Sequence, residues 1–134
     1  MRGISIKLFF FLVLSGLDYS NSYGQNESLL AEVRLALKAG SAKELSQYFH
    51  DNVEVNIKDE SGNYSRIHAE IYLKEFFKNI EPISFEYVLQ RSTDNGLKYA
   101  IGNYTYSEGK YLVLIRAKII NGKEKIYIID FSED

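Results

Sequence analysis

The chain is expected to fold as an α+β protein, with helices in its first half and an antiparallel sheet in its second. Three observations carry this. Apolar residues recur at helical spacing early on, at Leu29, Leu30, Val33, Ala36 and Leu37 and again at Ala69, Leu73, Phe76 and Phe77. From Ser84 onward the period shortens to two, as in Phe85, Tyr87 and Leu89. The turn signals Asp94-Asn95-Gly96, Glu108-Gly109 and Asn121-Gly122 then separate four successive strand-like runs. Strands joined so tightly can only run antiparallel.

Each element has its own signature. Glu27 to Ala39 reads as the first helix, stopped by Gly40. Ser41 opens a second, short helix, and Glu44 three residues later completes a capping box. Leu45, Tyr48 and Phe49 form its apolar face. Val53, Val55 and Ile57 alternate with Glu54 and Asn56, so this stretch is a half-buried strand. Asp59 to Asn63 is turn chemistry, and Tyr64 begins a short return segment. Ser65 caps a third helix over Arg66 to Asn79, whose apolar face is wide: Ala69, Tyr72, Leu73, Phe76, Phe77 and Ile80. Pro82, the only proline, prevents its continuation. The last four strands span Ser84–Arg91, Lys98–Ser107, Lys110–Ile120 and Lys123–Phe131.

The N-terminus is an address rather than part of this fold. Arg2 and Lys7 precede the apolar run Leu8 to Leu14, and Ser22-Tyr23-Gly24 places small residues where a signal peptidase reads. Met1–Gly24 is therefore expected to be a signal peptide, with Gln25–Asp134 a single domain. The apolar run is too short to anchor in a bilayer, which takes about 20 apolar residues. The mature protein is expected in the periplasm or outside the cell, with no membrane attachment after cleavage. The chain has no cysteine, which excludes disulfides and a lipidated leader.

Composition excludes further classes. Loss of the leader removes Arg2, Lys7 and Asp18, so the formal charge moves from −2 to about −3. A mildly acidic chain is a poor nucleic-acid binder, since phosphates require a basic surface. Neither a glycine-rich phosphate loop nor a G-x-S-x-G nucleophile elbow is present, and nothing reads as a nucleotide or haem site. No cofactor is expected. The two histidines, His50 and His68, lack metal-binding spacing, so no metal is expected either. Either histidine would need an orienting carboxylate, such as Glu54 or Glu70, to serve as a general base.

A resemblance becomes specific once the elements are placed. It is carried by Ala39 through Phe49, by Asp51-Asn52-Val53-Glu54, by Gly62, Tyr64-Ser65 and Ala69-Glu70, by Leu73 to Phe77, by Lys98 to Gly102 and by Asn121-Gly122-Lys123. With these residues the chain resembles the cone-shaped fold of the nuclear transport factor 2-like, cystatin-like superfamily. More closely, it is similar to an uncharacterised exported family of Bacteroidetes, the domain of unknown function DUF4783. The resemblance implies the fold and export but no chemistry, because the superfamily spans isomerases, dehydratases, hydrolases and non-catalytic binding modules.

A cone implies a cavity, and its mouth is the default ligand site. Tyr48, Tyr72, Phe76, Tyr87, Tyr99, Ile115 and Asp130 are the candidate lining residues, and the competing reading is that they fill the core. Asp130, grouped with Ile126 and Ile128 on one face, could act as a carboxylate base opposite a tyrosine donor. The opposite face of the sheet is also apolar at its middle. Tyr104, Tyr106, Leu112, Leu114 and Arg116 are assigned to it, and such a face meets a partner. The resemblance implies pairing through that face, so a homodimer is expected. The leading functional reading is a non-catalytic module that binds a small ligand or a protein. The alternative is a small isomerase or hydrolase using a pocket carboxylate and a tyrosine. Converging polar groups in a deep pocket would favour the enzyme, whereas a cavity plugged by Phe and Tyr would favour protein interaction.

Overall fold

A computed structural model describes residues 28–134. The expected leader and the start of the first helix at Glu27 lie outside the described residues. Helix α1, Ser28–Ala39, ends where Gly40 adopts φ 67°. The Gly40 amide donates to the Leu37 carbonyl and the Ser41 amide to the Ala36 carbonyl, which satisfies two of the helix's last four carbonyls. Helix α2, Ala42–Ser46, follows at once, with the Ser41 hydroxyl accepting the Glu44 amide at 3.1 Å. Only half of the expected capping box forms. The Ser41 amide is already spent on Ala36, so nothing remains for the Glu44 side chain to cap.

Helix α2 is shorter than its apolar residues suggest. Phe49 belongs not to the helix but to strand β1, Phe49–Ile57, where it is fully buried. Strand β2, Glu60–Ser65, pairs antiparallel with β1, with Lys58 turning the corner at φ 55°. Helix α3, Arg66–Asn79, starts at Ser65, whose hydroxyl accepts the His68 amide at 3.2 Å. Strands β3 (Ser84–Ser92), β4 (Lys98–Tyr106), β5 (Gly109–Ile120) and β6 (Lys123–Glu133) complete the chain.

All strands form one sheet in the order β2-β1-β6-β5-β4-β3. The hairpins are antiparallel as expected, and the Asn121-Gly122 turn has the paired positive φ values, 52° and 81°, of a type I′ connection. One pairing departs from the expectation: β1 lies parallel to β6. That contact joins the first strand of the chain to the last and places Val53 and Val55 on the same covered face as Ile129 and Phe131.

The helices pack on one face of the sheet. Its contributors are Phe49, Val53 and Val55 of β1, Phe85 of β3, Ala100 and Tyr104 of β4, Tyr111, Val113, Ile115 and Ala117 of β5, and Ile126, Ile129 and Phe131 of β6, all buried. Leu29, Leu30, Val33 and Leu37 of α1 and Ala69, Leu73, Phe76 and Phe77 of α3 cover them. Burying side chains of this size contributes about 1.5–3 kcal/mol each, and a cysteine-free chain relies on it.

Register shifts interrupt β3, β6 and β1. An extra residue in one strand turns the following side chains to the opposite face. In β3 the shift falls between Tyr87 and Leu89, so Leu89 does not share the inner face with Phe85 and Tyr87. In the β5–β6 pair it falls between Arg116 and Ala117, where Ile126 and Ile128 flank one extra residue, Tyr127. Ile126 therefore faces the core, whereas Ile128 and Asp130 pair with the outward residues Arg116 and Leu114. The expected grouping of Ile126, Ile128 and Asp130 on one face is corrected by this bulge.

Candidate functional site

The interior that a cone would offer a ligand is occupied by aromatic rings. Phe76 of α3 lies 4.7 Å from Phe131, 5.6 Å from Tyr111 and 5.9 Å from Tyr104, centroid to centroid. Phe77 and Tyr104 stack at 6.1 Å, and Tyr104 meets Phe131 edge to face at 6.0 Å. Each such pair contributes about 0.5–1.5 kcal/mol beyond area burial. The Tyr104 hydroxyl donates to the Ile80 carbonyl just beyond α3, tying the plug to the end of that helix.

The expected pocket residues do not converge. Phe76 and Ile115 fill the core. Tyr87 also points inward, and its hydroxyl donates to the Leu30 carbonyl of α1 at 2.7 Å. Burial pushes its pKa well above the ordinary tyrosine range, as burial also does for Tyr104. Tyr48 sits in the turn after α2, against a shallow groove beside α1. Tyr72 lies at the β2 edge, stacked on Tyr64 at 5.1 Å and donating to the Glu60 carboxylate at 3.1 Å. Desolvation first, then that bond, pushes its pKa up to about 12. Tyr99 and Asp130 are on the outer face, the opposite side from the assignment made on sequence.

Asp130 is part of a small polar cluster there. The Asn56 side-chain amide donates to Glu54 at 2.7 Å and to Asp130 at 3.3 Å, while the Asn56 carbonyl oxygen is buried without a partner. This cluster contains no tyrosine, and the sheet separates it from the aromatic plug. Glu70 accepts a bond from the Ser46 hydroxyl at 3.2 Å, and His68 is exposed in the first turn of α3. His50 borders a crevice with Asp51, Arg66 and Lys123.

The outer face combines apolar centre and charged margins. Leu112 and Leu114 of β5, Ile101 of β4 and Ile128 of β6 are half-buried, and among the described residues no element lies over them. Arg116 lies over the Tyr99 ring at 5.8 Å and Lys118 over Tyr127 at 4.7 Å. Glu54 and Asp130 stand on the β1–β6 side. Leu112, Leu114 and Arg116 thus lie where the sequence assigned them, but Tyr104 and Tyr106 do not. Tyr104 is fully buried in the plug, and Tyr106 stacks on Tyr111 at 5.4 Å on the same inner side.

A signal for this was present in the hairpin. A two-residue turn at Ser107-Glu108 pairs Tyr104 with Tyr111, Ala100 with Ile115 and Tyr99 with Arg116. If Ile115 is inward, Ala100 and Tyr104 must be inward and Tyr99 outward. Sequence reasoning also missed two grooves. One, of about 460 Å³, runs between α1 and β3 beside Arg34, Tyr87, Arg91 and Lys98. Arg34 there pairs bidentately with Glu86, which raises the guanidinium's pKa and lowers the carboxyl's. The other opens where α3, β1 and the β4–β5 turn end, next to Lys58, Tyr106 and Tyr111.

A curved, mostly antiparallel sheet packed against helices is the α+β fold of nuclear transport factor 2-like and cystatin-like structures. The model of the domain of unknown function DUF4783 matches residues 30–132, and the chain belongs to that family. A DUF4783 protein from Bacteroides ovatus superposes with a TM-score of 0.74 at 27% identity, over 78% of this chain and 94% of that one. A second, from Bacteroides uniformis, gives a TM-score of 0.76 at 24% identity over 80% and 98%. More distantly, a domain of unknown function with a cystatin-like fold from Nostoc punctiforme gives 0.61 at 11% identity over 78% and 72%. No curated protein sequence matches the chain.

Proposed function

We propose that this protein is an exported, non-catalytic binding module whose outer sheet face meets a second copy of the chain. The observation that carries the reading is the plug of Phe76, Tyr104, Tyr111 and Phe131, which fills the space a substrate would need. The chemistry of recognition then falls to surfaces. Leu112, Leu114, Ile101 and Ile128 are half-buried neighbours at the middle of the outer face, and apolar surface of this kind marks interaction sites. The carboxylate–tyrosine enzyme is the weaker reading, since Asp130 is held by Asn56 on the face away from the buried tyrosines.

Sedimentation equilibrium tests the pairing. The mature chain is expected to be a dimer at high micromolar concentration, and Leu114→Asp a monomer with an unchanged circular dichroism spectrum. A wild-type protein that remains monomeric at that concentration refutes the proposal. Export is tested separately: intact-mass spectrometry of protein from its own host should give a chain beginning at Gln25.

A further inference from the structure

We infer that the pocket bordered by Tyr99 and Tyr127 binds a small anion with an apolar body, a carboxylate carried on a single ring or a short alkyl chain. Register brings its parts together. Arg91 pairs with Tyr99, Tyr99 with Arg116 and Arg116 with Ile128. Residues directly opposite on antiparallel strands share a face, so two arginines flank one tyrosine in a row across β3, β4 and β5. The Arg116 guanidinium lies over the Tyr99 ring at 5.8 Å. Beside Ile128, the bulge residue Tyr127 adds a second ring, and the β3–β4 turn adds Leu97. The space they enclose is about 160 Å³.

The turn that walls the pocket is fixed before any ligand arrives. The Thr93 amide donates to the Leu97 carbonyl at 2.9 Å, and the Leu97 amide returns to the Thr93 hydroxyl at 3.1 Å. Gly96, at φ 84°, packs so closely on β5 that an added Cβ would lie 2.8 Å from Ile119 Cδ1. Leu97 is thereby held with its side chain 38% exposed at the pocket. A wall ordered in advance lowers the entropy lost on binding.

The lining selects the ligand's chemistry. Leu97, Tyr99 and Tyr127 give apolar surface, and no carboxylate lines the pocket. Of the three cations there, Lys98 is taken by Glu124 at 2.9 Å. Arg91 and Arg116 are exposed, and neither forms an ion pair among the described residues. Arg91 makes a single bond, to the neighbouring Gln90 carbonyl at 3.1 Å. A guanidinium is a planar fork of donors that matches a carboxylate. A neutral apolar guest would leave both forks to water, and a bare anion would leave the rings and Leu97 uncovered. An apolar acid satisfies both. The volume falls below the roughly 300 Å³ at which drug-sized sites begin, which limits the body to one ring or a few carbons.

Saturation-transfer NMR on the mature chain at low micromolar concentration tests the site. Benzoate and hexanoate are the probes, with benzyl alcohol as the apolar body alone and acetate as the anionic head alone. At least one of the two acids should bind, and more tightly than either control. Arg91→Gln should weaken it about tenfold, the value of a charge-assisted hydrogen bond. Arg91→Lys keeps the charge but not the fork and should recover only part of the loss. Tyr127→Ser removes the second ring and should weaken the acid with an unchanged circular dichroism spectrum. Arg91 and Tyr127 lie outside the patch proposed to meet a second copy, so Arg91→Gln should sediment as the parent does, and the dimer can fail without touching this site. Silence from both acids overturns the proposal. So does benzyl alcohol or acetate binding as tightly as the acids, or parental affinity in Arg91→Gln.

Discussion

Gly102 shows how one residue can fix the packing of two strands. It sits mid-strand on the inner face of β4, where an added Cβ would lie 2.4 Å from Phe85 Cζ and 2.9 Å from the Glu86 carbonyl oxygen. The first contact could move but the second is backbone. Gly102→Ala should therefore destabilise by about 1–3 kcal/mol, the usual cost of overpacking, read as a lower urea midpoint. Gly122 is the counter-case, with nothing within 4 Å of its added Cβ and only its φ of 81° to oppose substitution. The tyrosines make a second prediction. Tyr72, Tyr87 and Tyr104 all hold their protons to higher pH folded than free. Above pH ~10 the unfolded chain releases protons that the native state keeps, so stability falls as pH rises. For the buried Tyr104 the slope is about 1.4 kcal/mol per pH unit. Melting curves from pH 8 to 11 should show this decline, and Tyr72→Phe should reduce it between pH 10 and the Tyr72 value of about 12. Which tyrosine faced which way was not legible strand by strand. Both faces of β4 carry aromatics, so alternation alone does not choose between Tyr99 and Tyr104 for the core.

Elements with local chemistry were legible in the sequence, and those set by distant contacts were not. Ser65 as a cap, Gly40 as a stop and Asn121-Gly122 as a hairpin act within a few residues, and each is found in place. Ser65→Ala should cost about 0.5–2 kcal/mol by freeing the His68 amide, measurable by urea unfolding against Ser65→Asp, which keeps an acceptor. Strand β1 was only partly visible, because Phe49 reads equally well on the face of a short helix. Its parallel pairing with β6 has no local signal, since the partners are separated by most of the domain. The bulges follow the same rule. Tyr127 is an ordinary strand residue by type, and only the β5 register reveals that it is extra. That single insertion sends Asp130 outward and removes it from any interior site, which is why the candidate pocket was the least legible feature of the chain.

At the scale of the molecule, the charge layout of the outer face would make the proposed dimer specific. Glu54 of β1 and Asp130 of β6 stand on one side of the outer face and Arg116 and Lys118 lie along β5, with Ile128 paired to both Glu54 and Arg116, and Leu114 paired to Asp130. The cations are not spent internally: among the described residues neither Arg116 nor Lys118 forms an ion pair, and both rest on tyrosine rings instead. In the proposed dimer, a two-fold axis through the apolar residues would bring Glu54 and Asp130 of each copy toward Arg116 and Lys118 of the other, making one patch its own complement. Apolar contact would then supply the affinity and the charges the register. Raising salt from 0.05 to 0.5 M, over which screening lengths fall from about 14 to about 4 Å, should weaken the dimer several-fold without abolishing it. Arg116→Glu should raise the dissociation constant about tenfold, about 1.4 kcal/mol, and pairing it with Asp130→Arg should recover most of the loss. Analytical ultracentrifugation of the parent, Arg116→Glu, Asp130→Arg and the double variant decides the matter, because a face that binds through its leucines alone would leave all four with the same constant.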